Sequence, residues 1–82
     1  MRINELRDDL KAYLSAHGLE KKYAKAKKLF EHDPFYPSLN TELLQPKERL
    51  IYSFRLDRKY RALFIYLEDG SIEIIALTNH YK

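Results

Sequence analysis

The hydrophobic pattern of residues 6–33 predicts two amphipathic helices. Apolar residues recur three or four positions apart, so each set lies on one helix face: Leu6, Leu10, Tyr13 and Leu14 in the first helix, and Leu19, Tyr23, Ala26 and Phe30 in the second. Gly18, between the two sets, can take the left-handed conformation that ends a helix. Pro34 cannot continue the hydrogen-bond ladder, so the second helix must end near Asp33-Pro34. We expect an antiparallel helical hairpin.

The hydrophobic period changes to two in the second half of the chain. The segments RLIYSFRL, YRALFIYL and SIEIIALTN are rich in β-branched and aromatic residues and predict three strands. Before them, FYPSLNTELLQPKER is a connector long enough to suggest a functional role. The predicted class is α+β, with an N-terminal helical hairpin packed on an antiparallel sheet of three to four strands. We expect residues 1–82 to form a single domain.

Asp69-Gly70 predicts a two-residue hairpin turn, which sets the register of the last two strands. Counting outward from such a turn gives these pairs: Glu68 with Ser71, Leu63 with Ala76, and Arg61 with Thr78. Paired residues share a sheet face, and so do residues two apart. His80 therefore joins Arg61 on one face. The opposite face is expected to pack on the helices through Ala62, Phe64, Ile75 and Leu77.

Arg55 joins this group if an odd number of residues connects the first two predicted strands. An even number would bury Arg55 under the helices at a steep desolvation cost, so the odd number is favoured. Two guanidinium groups can bind a phosphodiester, a histidine can protonate a leaving oxygen, and Tyr81 can stack on an unpaired base. The alternative is structural: Arg55 and Arg61 as surface ion-pair partners, and His80-Tyr81 as a frayed terminus.

Charge is distributed unevenly along the chain, whose formal net charge is +3. Residues 20–31 hold five Lys against two Glu, and residues 47–61 hold six basic side chains against two acidic ones. Two basic blocks favour an anionic partner. The sequence has no cysteine, no cluster with metal-ligand spacing and no glycine-rich phosphate loop, so we expect neither a metal nor a cofactor. With no signal peptide and no membrane-spanning stretch, a cytoplasmic protein is expected.

Two segments, HDPFYPSLNTELL and YSFRLDRKYRALFIYLEDGSIEIIALTNHYK, together resemble the RelE/ParE superfamily of toxins from type II toxin–antitoxin modules. The likeness is strongest to the YoeB-type mRNA interferases. Its markers are the proline at the helix end, a Ser-Leu followed by Glu-Leu, an arginine-bearing strand, a Tyr-Arg opening the next strand, and a terminal His-Tyr. The resemblance implies an endoribonuclease that enters the ribosomal A site and cuts mRNA through attack by the 2′-hydroxyl group, without a metal ion.

The resemblance also implies roles for individual residues and for partners. Glu42 matches the general base, Arg61 the phosphate-stabilising arginine, His80 the general acid and Tyr81 the residue that orients the substrate. Substrate binding is assigned to Arg55 and Lys82. The implied partners are a cognate antitoxin, mRNA and the ribosome near its 16S rRNA. Two alternatives stay open: a non-catalytic ParE-like gyrase inhibitor, whose relatives generally lack the Glu and the terminal His-Tyr, and a weakly active remnant that binds an antitoxin.

The sheet face around the basic groove is expected to be apolar, through Ile51, Leu63, Ile65 and Ile74. Such a face is too apolar to remain uncovered on so small a protein. An acidic, partly disordered antitoxin that folds on binding is the expected cover. Because this face lies opposite the helices, replacing Arg61 or His80 is expected to leave folding intact.

Overall fold

The computed structural model describes residues 1–79, in which two α-helices precede a sheet. Helix α1 spans Asp8–Ala16 and helix α2 spans Glu20–His32. Gly18 between them has a φ of 63°, as expected of a left-handed helix end. Helix α2 stops just before Asp33-Pro34. The predicted helical hairpin is confirmed. Within the described residues, no helix has both the length and the apolar character needed to cross a membrane.

Four antiparallel strands make up the sheet within residues 1–79. They are β1 (Glu42–Leu43), β2 (Tyr52–Arg55), β3 (Tyr60–Tyr66) and β4 (Ile72–Asn79), and they lie side by side in chain order. The α+β class is confirmed. Strand β1 lies inside the predicted connector, where two residues are too few to show a period of two.

Aromatic rings join the helices to the sheet. Phe30 of α2 lies against Phe54 of β2 and Phe64 of β3, with ring centroids 5.0 and 5.1 Å away. All three rings are fully buried. Leu10 and Leu14 of α1 complete the same core from the first helix. One sheet face is therefore taken up by helix packing, which leaves the other face for a site.

The hairpin between β3 and β4 differs from the prediction near its turn. The Leu67 N–H donates to the Ser71 carbonyl at 2.9 Å and the Gly70 N–H to the Leu67 carbonyl at 3.0 Å, so the loop has three residues, 68–70. Gly70 has a φ of 85°, which places it in the left-handed region that such loops require. The prediction of a two-residue turn is wrong.

A β-bulge restores the predicted register farther along this hairpin. Phe64 pairs with Ile74, but Leu63 pairs with Ala76, which makes Ile75 the extra residue. The extra loop residue and the bulge cancel, so Arg61 pairs with Thr78 as predicted.

The segment between the turn and the bulge is shifted by one residue, which reverses the faces predicted there. Ile74 is a core residue, 1% exposed, and not part of the outer apolar face. Ile75, predicted to pack under the helices, is only half-buried. The outer apolar face is therefore smaller than expected, and its remaining members, Ile51, Leu63 and Ile65, are half-buried.

Arg55 and Arg61 are direct partners across β2 and β3. Residues 56–60 separate them, which is the odd number that the desolvation argument favoured. Phe54, next to Arg55, points into the core and is fully buried. The prediction that Arg55 and Arg61 share a face of the ladder is confirmed.

Candidate functional site

Glu42 and Arg61 come together on the face of the sheet opposite the helices. Glu42 of β1 pairs with Ser53 of β2, and Ser53 pairs with Leu63 of β3. Arg61 lies two residues before Leu63 and so shares its face. The Arg61 Nη2 atom is 3.7 Å from the Glu42 Oε1 atom, and the Glu42 side chain is 49% exposed while that of Arg61 is 5% exposed. An accessible carboxylate thus faces a buried cation.

Arg61 is held by hydrogen bonds to groups of the protein itself. Its Nε and Nη2 atoms donate to the Ser53 hydroxyl oxygen at 3.0 and 2.8 Å, and Nη2 also donates to the Asn40 carbonyl at 2.8 Å. These acceptors offset part of the cost of removing a charge from water. The guanidinium plane is therefore fixed before any substrate binds.

The Asn40 carbonyl is directed at Arg61 by an unusual backbone conformation. Asn40 ends a short 3₁₀ helix, Pro37–Leu39, and has a φ of 47° and a ψ of 49°. Asparagine tolerates this left-handed region better than most residues. Leu39, 1% exposed, anchors the turn in the core, and the Thr41 hydroxyl donates to the Pro34 carbonyl at 2.6 Å. These contacts fix the turn, and the hydrogen bond from Arg61 to the Asn40 carbonyl ties the connector to β3.

A pocket of about 230 Å³ opens beside the Glu42–Arg61 pair. It is lined by an acid, a cation, two hydroxyl groups, an amide and two leucines: Glu42, Arg61, Ser53, Thr78, Asn79, Leu44 and Leu63. A carboxylate can accept a proton here, and a guanidinium can stabilise negative charge on a phosphate. The pocket is thus chemically suited to a phosphodiester.

The end of β4 forms one wall of this pocket. Thr78 pairs with Arg61 and Asn79 pairs with Tyr60, so the chain passes Arg61 two residues before position 80. His80, Tyr81 and Lys82 lie outside the described residues. Their assigned roles as general acid, substrate-orienting residue and substrate-binding cation stay predictions.

Arg55 lines a different pocket from Arg61, although the two residues are partners in the ladder. This second pocket, of about 340 Å³, lies between α2 and the end of β2 and includes Lys22 and Lys25 as well as Arg55. Lys22 is paired with Asp57 at 2.7 Å. The register therefore places Arg55 as predicted, but its side chain belongs to a neighbouring basic cleft.

Asp57 shapes one side of the basic cleft. Its Oδ1 atom accepts the backbone N–H groups of Lys59 and Tyr60 at 2.8 and 2.7 Å, and its Oδ2 atom accepts from Lys22. Burial acts to raise the pKa of the Asp57 carboxyl, but these hydrogen bonds outweigh it and hold the pKa below its ordinary value. The carboxylate stays ionised at neutral pH, so it compensates part of the positive charge of the cleft.

Ser53 and Asn40 were not identified from the sequence as partners of Arg61. The signal was present for Ser53, because alternation places it on the same face as Arg55 and Arg61. For Asn40 the sequence shows only an asparagine after Pro-Ser-Leu, which indicates a turn but not where the Asn40 carbonyl group points. The carbonyl that binds Arg61 is visible only in three dimensions.

Within residues 1–79, no three His, Cys, Asp or Glu side chains lie close enough together to hold a metal ion.

Comparison with known proteins identifies the fold. No family model matches the chain, and no curated protein matches it either. A solved YoeB/ParE toxin from Agrobacterium tumefaciens is similar, with a TM-score of 0.71 at 16% identity over 99% of this chain and 100% of that one. The heterotetrameric YoeB-YefM toxin-antitoxin complex from Staphylococcus aureus contains a chain with a TM-score of 0.67 at 18% identity, over 98% of this chain and 94% of that one. This chain therefore has a RelE/ParE-like toxin fold with similarity to YoeB, as the sequence resemblance implied.

Proposed function

We propose that this protein is the toxin of a type II toxin–antitoxin module and a metal-independent endoribonuclease that cleaves mRNA in the ribosomal A site. The fold that it shares with YoeB toxins supports the toxin role. The observation that carries the catalytic proposal is the approach of Glu42 to Arg61, 3.7 Å apart, beside a pocket at the end of β4.

The proposed reaction is an internal displacement at one phosphorus atom. The 2′-hydroxyl oxygen attacks the adjacent phosphorus while the Glu42 carboxylate accepts the hydroxyl proton. The bond between phosphorus and the 5′-oxygen breaks, and His80 donates a proton to that oxygen. The products are a 2′,3′-cyclic phosphate and a 5′-hydroxyl group.

Arg61 takes the role that a metal ion has in other nucleases. Negative charge builds up on the phosphate oxygens as the 2′-oxygen approaches, and the fixed guanidinium can stabilise it without reorganisation. The nucleophile belongs to the substrate, so no metal-bound water is needed. Both features favour cleavage that does not depend on a catalytic metal ion.

The basic cleft is the proposed path for the RNA beyond the scissile phosphate. Arg55 lies opposite Arg61 in the β2–β3 ladder, and Lys25 of α2 lines the same cleft as Arg55. Tyr81 is proposed to orient the substrate and Lys82 to help bind it. A cationic path of this kind suits a single strand or an rRNA surface, because it contacts backbone phosphates without reading bases.

A cognate antitoxin is the proposed protein partner. The similar chain from Staphylococcus aureus is found in a toxin-antitoxin complex, which supports the same pairing here. In this proposal residues 1–82 act as one toxin domain in the cytoplasm, where mRNA, ribosomes and the antitoxin are available.

The proposal is tested with ribosomes that translate a defined mRNA. We expect the purified protein to cut the mRNA within A-site codons, and primer extension and end-group analysis should find 5′-hydroxyl and 2′,3′-cyclic phosphate ends. A DNA supercoiling assay with gyrase runs in parallel. Gyrase inhibition without cleavage would establish the ParE-like alternative, and a protein that binds an antitoxin but does not inhibit gyrase and cleaves barely or not at all would be the weakly active remnant.

A further inference from the structure

One buried serine accepts two hydrogen bonds from the guanidinium of Arg61. We propose that Ser53 is a positioning residue, whose hydroxyl group and the Asn40 carbonyl together hold Arg61 in the orientation that stabilises the reacting phosphate. This inference rests on the proposed function and adds to it the groups that set the orientation of Arg61.

The Ser53 hydroxyl oxygen and the Asn40 carbonyl oxygen form a socket that accepts hydrogen bonds from the planar guanidinium group of Arg61. A serine oxygen has two lone pairs, and Nε and Nη2 donate to the Ser53 oxygen at 3.0 and 2.8 Å. The second N–H group of Nη2 donates to the Asn40 carbonyl at 2.8 Å. Three of the five guanidinium N–H groups, one on Nε and two on Nη2, thus donate to the protein. These contacts fix both the position and the tilt of the group.

A pocket water is a poor substitute for the Ser53 hydroxyl. Ser53 is fully buried and Arg61 is 4% exposed, although both line the pocket, so loss of this fixed acceptor would leave N–H groups unpaired or bonded only to a mobile water. A free arginine side chain has several rotatable bonds, and fixing them costs conformational entropy. In the socket this entropy is lost on folding and not during the reaction, which is the condition for effective stabilisation of a transition state.

The socket also distinguishes arginine from lysine. A lysine ammonium is a single point with three donors and cannot donate from two nitrogen atoms in one plane to the Ser53 oxygen. An Arg61→Lys protein would keep the positive charge but lose the orientation. If Ser53→Ala lowers the cleavage rate by freeing the guanidinium group, it should have little effect on the rate of the Arg61→Lys protein.

The matched pair for the test is Ser53→Ala and Ser71→Ala. Ser71 is also a buried serine with a bonded hydroxyl group, but its partner is Asp69 in the β3–β4 turn, away from the pocket. Ser53→Thr keeps the hydroxyl group and is the conservative variant. Ser53→Cys fills nearly the same space with a weak acceptor, and it replaces Ser53→Ala if the alanine protein does not fold.

Single-turnover cleavage of ribosome-bound mRNA gives the first readout. We expect Ser53→Ala to lower the maximal rate by about 10- to 100-fold with an unchanged half-saturating concentration, since a loosened charge stabiliser affects the transition state more than binding. Ser53→Thr should restore most of the rate, and Ser71→Ala should cleave like the parent. In the Arg61→Lys background, adding Ser53→Ala should change the rate by less than about threefold.

Hydrogen exchange of the Arg61 Nε–H group, followed by ¹⁵N NMR, gives a readout that does not depend on cleavage. The parent should protect this proton, and Ser53→Ala should lose the protection while the backbone spectrum stays native. If the parent cleaves no mRNA, the proposed function fails, yet the NMR experiment still decides whether Ser53 holds Arg61. Equal protection in both proteins, or an equal loss of rate in the arginine and lysine backgrounds, would overturn the proposal.

Discussion

Arg61 is a charged residue that the fold surrounds almost completely, with only 4% of its surface exposed. Its register partner and its sheet face follow from alternation along β3, so both were predictable from the sequence. Its burial was not, because one of its acceptors is a carbonyl of the connector, at Asn40. The burial changes the expectation that Arg61 can be removed without an effect on folding.

Arg61→Ala should lower the free energy of unfolding as well as the cleavage rate. The change leaves the Ser53 hydroxyl and the Asn40 carbonyl without their donors and opens a cavity, which together should cost roughly 2–4 kcal/mol. Urea unfolding at pH 7 measures this loss. Arg58→Ala, an exposed residue of the β2–β3 connection, is the control and should stay within about 0.5 kcal/mol of the parent. Equal stability of both variants would mean that Arg61 is not buried in solution.

At the scale of elements, the strands were predictable where alternation is unbroken. The buried residues of β4 are Ile72, Ile74 and Leu77, which are spaced by two and then by three positions. A step of three breaks the period, and the bulge at Ile75 accommodates it. The two-residue turn prediction ignored this break and so assigned Ile74 and Ile75 to the wrong faces. The register at Arg61 was still right, because the longer loop and the bulge compensate.

Strand β1 shows where sequence patterns stop being informative. Glu42–Leu43 is too short for periodicity, and it becomes a strand because β2 offers a free edge beside it. Its pairing nevertheless brings the Glu42 carboxylate to the pocket. Only the family resemblance suggested Glu42 as a site residue, and the geometry now gives a physical reason for that choice.

The connection between β2 and β3 should make stability depend on pH. The folded-state pKa of Asp57 is lowered, so its stabilising contribution is present above the unfolded pKa and is lost as the pH falls from there through the folded pKa. Asp57→Asn should therefore destabilise the protein at pH 7 and flatten the decline in stability on acidification. Urea unfolding between pH 7 and pH 3 measures this.

Glu68→Gln is the control for Asp57, because Glu68 is exposed in the β3–β4 loop. It should follow the parent curve at each pH. An Asp57→Asn curve parallel to that of the parent would show that the carboxylate adds no pH-dependent stability.

On the scale of the whole molecule, several large apolar side chains remain exposed or half-buried at the surface. Phe35 is 69% exposed and Leu50 is 59% exposed, and Leu63 and Ile65 are half-buried on the sheet face around the site. Arg49 lines a common pocket with Leu50 and Ile65. An acidic and partly apolar chain that folds on binding is a complementary partner for such a surface.

Co-expression with the product of a neighbouring small open reading frame should yield a stable complex. Binding to the folded state alone adds about 2.7 kcal/mol of stability at a free partner concentration of 100 Kd, so the melting temperature should rise. If the proposal is right, the protein expressed alone should stop growth. If no partner co-purifies and the lone protein is harmless, the toxin–antitoxin proposal is contradicted.

The single-turnover cleavage rate of the Glu42→Gln protein on ribosome-bound mRNA, compared with that of the parent, tests the catalytic proposal most directly. Glu48→Gln is the matched control, because Glu48 is an exposed glutamate of the same connector that does not line the pocket. Glu42→Gln should lower the rate by about 10²–10⁴-fold, the usual loss for a general base, while Glu48→Gln cleaves like the parent. Both variants should unfold at the parent's urea concentration. Glu42 is half exposed, and its separation of 3.7 Å from Arg61 is too long for a hydrogen bond, so the pair contributes little to stability. If Glu42→Gln cleaves as fast as Glu48→Gln, Glu42 is not the base and the pocket beside Arg61 is not where mRNA is cut.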